Sequence, residues 1–182
     1  MAQSGQVIEN PITGERIVFC KTSGDTHGEL LQLDYSLKPR GFVVVEHIHL
    51  HQEERFQILS GTPRFRIDGK EQTASPGQTV IVSRGSPHIV WNDAEEESRM
   101  LVEFRPALKT EIMFETVFGL AQDGKLNRRG IPNPLQAAVL FMAYRDETLP
   151  ASRTLKVAAS LVLPILAPIA RLLGYRAHCS PP

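Results

Sequence analysis

Apolar residues in the first hundred positions recur mainly at every second residue, in short runs such as "RIVFC", "LLQLDYSL", "RFQILSG" and "SRMLVEFR". That is the period of a strand with one buried face. Gly, Pro, Asn or Asp separates the runs, and Asp68-Gly69 adds a hairpin signal inside "PRFRIDGKEQTA". Short strands at this spacing predict an antiparallel sandwich or barrel, and no helical period interrupts them before about residue 107.

The segment "GFVVVEHIHL" is predicted as a strand over 42–50, because its Phe and valines suit a pleated surface and lose side-chain freedom in a helix. A strand puts Val43, Val45, His47 and His49 on one face, whereas a helix would pair His47 with His51. Phe42, Val44, Ile48 and Leu50 make the other face apolar too, so both sides need cover. The N-terminal strands, the C-terminal helices or a second subunit can give it.

Beyond 107 the period lengthens. "TEIMFETVFGLAQDGK" (110–125) predicts a helix capped by Thr110, with Ile112, Phe114, Val117 and Phe118 broadly on one side. "NPLQAAVLFMAYRDE" predicts a second over 134–147, with Asn133 as cap and Pro134 in the first helical position. The last segment carries no charge from 157 to 170, fewer residues than the ~20 that span a bilayer. Pro164 and Pro168 argue against a straight helix there. It is expected to pack on the barrel or on a partner chain, with peripheral membrane contact as the alternative.

A length of 182 residues fits one domain with an appended subdomain: a β-barrel over 1–106 and a helical extension over 107–182. The balance of 20 basic and 20 acidic residues leaves no global field for nucleic acid, so no nucleic-acid partner is expected. Cys20 and Cys179 make neither a disulfide framework nor a thiolate metal site, which suits a reducing compartment. With no export signal evident at the N-terminus, a cytoplasmic location is the expectation.

Candidate chemistry centres on the histidines. Bare imidazoles on the inner, apolar face of a strand are costly unless paired or bound. Glu54 shares parity with Phe56 and Ile58, which turns its carboxylate inward while Glu53 meets water, and His88 shares parity with Val90 and Asn92. Glu103 is outside if Met100, Val102 and Phe104 face the core, and close to the histidines if the parity is reversed. His51 reads as a turn residue, His27 and His178 as solvated, and Arg64 and Arg66 as surface flanking Phe65 and Ile67.

The spacing Gly41-x5-His47-x-His49-x4-Glu54-x6-Gly61, followed by Gly77-x5-Ser83-x-Gly85-x2-His88-x3-Asn92, resembles the two signature blocks of the cupin superfamily. Those blocks are G-x5-H-x-H-x3,4-E-x6-G and G-x5-P-x-G-x2-H-x3-N; the departure is Ser83 at the proline. That change bears on a turn and not on the ligands. The resemblance covers about residues 35–106. It implies a mainly β, cupin-type antiparallel jelly-roll barrel, here with two or three C-terminal α-helices, and one divalent transition metal ion held by His47, His49, Glu54 and His88. Such a set leaves open positions on Fe, Mn, Ni, Cu or Zn, and ligand type does not choose among them.

The expected function is therefore that of a metal-dependent oxidoreductase, a dioxygenase acting on a small organic substrate in the barrel. Glu54 would be the catalytic group, and Val43, Val45, Phe56, Ile58 and Val90 the substrate-binding wall, with Phe114 and Phe118 over the mouth. The alternatives are a metal-dependent isomerase or cyclase, for which no further inward acid or base stands out, and a non-catalytic small-molecule sensor. A homodimer is expected, because cupins commonly pair and the first strand needs cover on both faces.

Overall fold

The computed structural model describes residues 2–177. His178 and Cys179 lie outside them. Ten strands come first: β1 (Val7–Asn10), β2 (Glu15–Lys21), β3 (Leu31–Leu37), β4 (His47–Ile48), β5 (Glu53–Ser60), β6 (Arg64–Ile67), β7 (Lys70–Thr73), β8 (Thr79–Val82), β9 (His88–Trp91) and β10 (Ser98–Arg105). Helix α1 (Thr110–Gln122), helix α2 (Pro134–Tyr144), strand β11 (Leu149–Pro150) and helix α3 (Arg153–Leu172) complete the chain. The strands form two antiparallel sheets, ordered β1-β2-β3-β10-β5-β8 and β11-β4-β9-β6-β7. This is the expected mainly β jelly roll with three C-terminal helices.

Period-two patterning builds the core as predicted. Along β5, Glu54, Phe56 and Ile58 are buried while Arg55 and Gln57 are exposed; along β10, Ser98, Met100, Val102 and Phe104 are buried. The two strands pair Met100 with Ile58, Val102 with Phe56 and Phe104 with Glu54. Phe65 from the other sheet meets Phe56 edge to face at 5.1 Å between ring centroids. Each such fully buried side chain contributes roughly 1.5–3 kcal/mol relative to exposure. Arg64 and Arg66 stay outside, over the Trp91 ring. Glu103 is outside as well, accepting from Gln32 and Arg105.

Two glycines of the sequence pattern are where backbones meet. A Cβ on Gly61, whose φ is +74°, would lie 2.6 Å from Ser98 Oγ and 2.7 Å from the Glu97 carbonyl. On Gly41 it would lie 2.9 Å from the Lys38 carbonyl. Asn92 also works on the backbone: its Nδ2 donates to the carbonyls of Leu37, Lys38 and Glu96.

Four expectations are corrected. The strand predicted over 42–50 shrinks to His47–Ile48 plus a single bridge between Phe42 and Trp91. The chain bends at Val44 and Val45 because the loop through Gly130 occupies the space alongside; a Cβ there would lie 2.5 Å from Val44 Cγ2. Thr110 is not a cap: Lys109 holds that position, and the Thr110 hydroxyl accepts from Gln52 Nε2 instead. Asn133 does cap α2, accepting from Leu135 N and Gln136 N, although that helix stops at Tyr144. Finally, α3 runs unbroken through Pro164 and Pro168, with the bonds those residues cannot donate lost from a mostly exposed helix.

The extension adds a strand to the free edge of the histidine strand and so supplies part of its cover. β11 pairs with β4, setting Leu149 opposite Ile48 and Pro150 opposite His47. Ala151 N donates to the Glu46 carbonyl at 2.9 Å. Ile48 is buried beneath this edge, while Leu50 remains exposed.

Candidate metal centre

Four side chains from three strands and a connecting turn converge on one point. His47 stands on β4, His49 just after it, Glu54 on β5 and His88 on β9, where His88 is the direct cross-strand partner of His47. One ligand atom from each of the four lies within 4.8 Å of all the others. The imidazole centroids are 4.3 Å apart for His47 and His88, and 4.8 Å apart for His47 and His49. His49, Glu54 and His88 are buried and His47 is half-buried.

The backbone decides which ring nitrogen faces inward. His47 Nδ1 donates to the Val45 carbonyl at 2.9 Å, His49 Nδ1 to the Glu147 carbonyl at 2.5 Å, and His88 Nδ1 to the Ser86 carbonyl at 3.1 Å. With Nδ1 bonded to a carbonyl, all three Nε2 atoms face the common point, the orientation that metal-bound histidines show. His49 Nε2 is buried, 3.3 Å from Glu54 Oε2 and not in hydrogen-bonding geometry. His88 Nε2 approaches the same oxygen at 2.8 Å. Three inward ring nitrogens beside a carboxylate, one of them without a hydrogen-bond partner, form a donor set that fits a divalent metal once His88 gives up its proton.

Protonation follows from the same geometry. Burial, followed by the neighbouring His88 and His49, holds the His47 imidazole down to about 3. Burial would raise the Glu54 carboxyl, but its His49 and His88 partners overcome that and hold it below the usual carboxylate range. Burial opposes a charge on His88, yet the bond to Glu54 and its negative charge outweigh this and lift His88 above its ordinary value. The metal-free cluster thus favours an ion pair of Glu54 with His88, which a metal would replace.

The cluster lies in a cavity of about 300 Å³ with predominantly apolar walls. Val43, Val45, Phe56 and Val90 line it, whereas Ile58 does not; Ile58 is packed in the core below. Val44 lines the cavity as well, since the bend breaks the strand's alternation. Met113, Phe114, Val117 and Phe118 close it from α1, and Leu126, Pro132 and Leu140 from the following segments. Phe104, Phe114 and Phe118 meet as a chain of edge-to-face rings. His51 and His27 are exposed and take no part.

A second polar group escaped the sequence reading. Asn10, Glu15 and Tyr35 also line the cavity. Glu15 accepts from the Tyr35 hydroxyl at 2.6 Å and from the Thr13 hydroxyl at 2.5 Å. Burial pushes the Glu15 carboxyl up, partly offset by those two hydroxyls. Burial, then the charges of Glu15 and Glu54, push the Tyr35 phenol well above its usual value. Asn10 Nδ2 is buried without a hydrogen-bond partner. A signal was present: Glu15 has the parity of the core residues Ile17 and Phe19, and Tyr35 that of Leu33 and Leu37.

Residues 33–104 match the family model described as "Cupin domain". No curated protein matches the chain in sequence. Among solved structures, similarity extends to a predicted oxalate decarboxylase from Thermotoga maritima, with 20% identity, a TM-score of 0.50 and coverage of 58% of this chain and 98% of that one. The polyketide cyclase RemF from Streptomyces resistomycificus is similar at 17% identity and a TM-score of 0.49, over 58% of this chain and 78% of that one. A cupin-superfamily sugar phosphate isomerase from Silicibacter pomeroyi is similar at 20% identity and a TM-score of 0.46, over 52% of this chain and 60% of that protein's length. At these identities the likeness is one of fold.

Proposed function

We propose, from the premise that this chain carries a cupin domain, that it is a metal-dependent enzyme acting on a small, largely apolar organic molecule. The observation that carries the reading is the convergence of His47, His49, Glu54 and His88 in the wall of an otherwise apolar cavity. The metal, bound by these four, would supply Lewis acidity and, if redox-active, a place for dioxygen. Val43, Val45, Phe56 and Val90 hold the apolar body of the substrate, and Phe114 and Phe118 exclude water. Asn10, in the same wall, has a buried amide nitrogen without a hydrogen-bond partner that would donate to a substrate oxygen brought against it. Glu54 is the ligand placed to take a substrate proton.

The finer reading is a dioxygenase. Its test is oxygen uptake that tracks substrate loss and stops on chelation; conversion without oxygen by the metal-loaded protein would overturn it. A specific observation favours a second reading, a non-redox isomerase or cyclase: the Glu15–Tyr35 pair is the inward acid that the sequence reading did not find. Proton relocation within a substrate needs such a group near the polarised carbonyl. Product of unchanged mass, formed anaerobically and lost in Glu15→Gln, would select that reading.

A further inference from the structure

Among the described residues, eight of the fourteen exposed large apolar side chains lie on α3 or at its C-cap, which makes this helix unlike any other surface of the molecule. Leu161, Ile165, Ile169 and Leu172 follow one another three or four positions apart, so they form a stripe along the helix. Ile165 is 70% exposed and Leu172 89%. The opposite side, with Ala167 and Ala170 buried, packs on α2. A helix of 20 residues is long enough and apolar enough to cross a bilayer, but this one is held lengthwise against the protein on one side. It can present its bare side to a surface.

Charge indicates what that surface is. From Ser152 to Ala177 the chain carries Arg153, Lys156, Arg171 and Arg176 and no carboxylate, within a protein of zero net charge. A two-fold pairing of this face with its own copy would bring basic ends together or leave them unpaired, whereas an anionic lipid layer offers charge to Arg153 and Arg171, which lie at the two ends on the same flank of the stripe. Beside the stripe, Ser160 and Pro164 border a groove with Leu50, Phe141 and Leu149 and with the charged pair Arg145 and Asp146 at its rim. Phe141 and Leu149 also wall a hollow that reaches Val45 and His47.

We infer that the outer face of α3 docks the protein flat on an anionic lipid surface, with its basic ends at the headgroups and Leu161, Ile165 and Leu172 in the acyl boundary. The groove beside α3 then opens at the level of the lipid. Its use as an entry for an apolar substrate rests on the function proposed above; the docking itself does not.

The test is flotation of the full chain with vesicles of phosphatidylcholine alone and of phosphatidylcholine mixed with phosphatidylglycerol. The protein is expected to float with the mixed vesicles and far less with the neutral ones. The double variant Leu161→Glu and Ile165→Glu should stay behind while keeping its circular dichroism and its zinc binding. The variant Arg153→Gln and Arg171→Gln, which leaves the apolar stripe intact, should bind the mixed vesicles roughly thirtyfold more weakly. Undiminished flotation of either folded variant overturns the docking face. So does a wild-type protein that binds no vesicles, whether it is monomeric or sizes as a dimer that the glutamates dissociate. Unchanged catalysis in a metal-site variant that still floats would count against the proposed function and not against the docking.

Discussion

A backbone carbonyl behind each imidazole fixes which ring nitrogen turns to the centre, and the neighbours of that nitrogen set where the protons go. In the metal-free protein His47 is held down to about 3 and His88 is lifted above its usual value. Below the His88 value a metal therefore displaces a proton from His88 and, above about 3, none from His47. Calorimetry in buffers of different ionisation heat should register up to one proton released per metal, and affinity should fall as the pH drops through the His88 value. His47 has a separate signature. Its folded value lies below that of the unfolded chain, so the unfolded state takes the proton first and the metal-free protein loses stability as the pH falls from about 6.5 towards 3. Thermal midpoints across that range should fall less steeply in His47→Gln, after allowing for the separate loss of the Glu54 carboxylate at the acid end. For the ligand set itself, Glu54→Gln is expected to lower metal content and affinity by at least about tenfold, measured by elemental analysis and zinc titration.

Elements hold those residues to different degrees, and the difference governs what the sequence could disclose. Glu54 and His88 lie on regular strands, so counting by twos placed them correctly. The valines before His47 follow the bend beside Gly130, so alternation failed there: Val44 joined the cavity, and on β5 Ile58 fell one layer beneath it. Asn10, Glu15 and Tyr35 belong to strands brought alongside only by sheet order, and no spacing motif links them to the histidines. The motif glycines, by contrast, were readable and their reason is now physical. Gly61→Ala forces a Cβ against Ser98 and Glu97 at positive φ and should destabilise by about 2 kcal/mol in urea unfolding. The β11 segment acts on the centre from behind. Glu147 holds His49 through its carbonyl and Lys109 N through its carboxylate, at 3.1 Å. Glu147→Ala keeps that carbonyl and removes only its anchor to Lys109 N, so zinc titration should show a loss of affinity of about threefold, smaller than that of Glu54→Gln.

At the scale of the whole molecule the barrel and the extension are joined by strand pairing, by α1 over the cavity and by the Glu147 contacts, so metal and fold should be coupled. Saturation at a hundred times the dissociation constant is expected to add about 2.7 kcal/mol, and chelation to lower the thermal midpoint accordingly. A midpoint unmoved by chelator in a protein shown to contain metal would place the ion elsewhere. The jelly roll was legible because its alternating pattern is local. The course of the extension was not, because "RTLKVAASLVLPILAPIARLL" contains two prolines that a solvent-facing helix tolerates and a sequence rule counts as breaks.

The pairing of β11 with β4 has a temporal side as well. His47 and His49 emerge early when the chain is synthesised, yet the carbonyl that orients His49 belongs to residue 147 and the strand that borders His47 to residues 149 and 150. A ribosome must release the extension as far as β11 before the cage can take its final shape, so the centre is completed only after translation has passed the barrel.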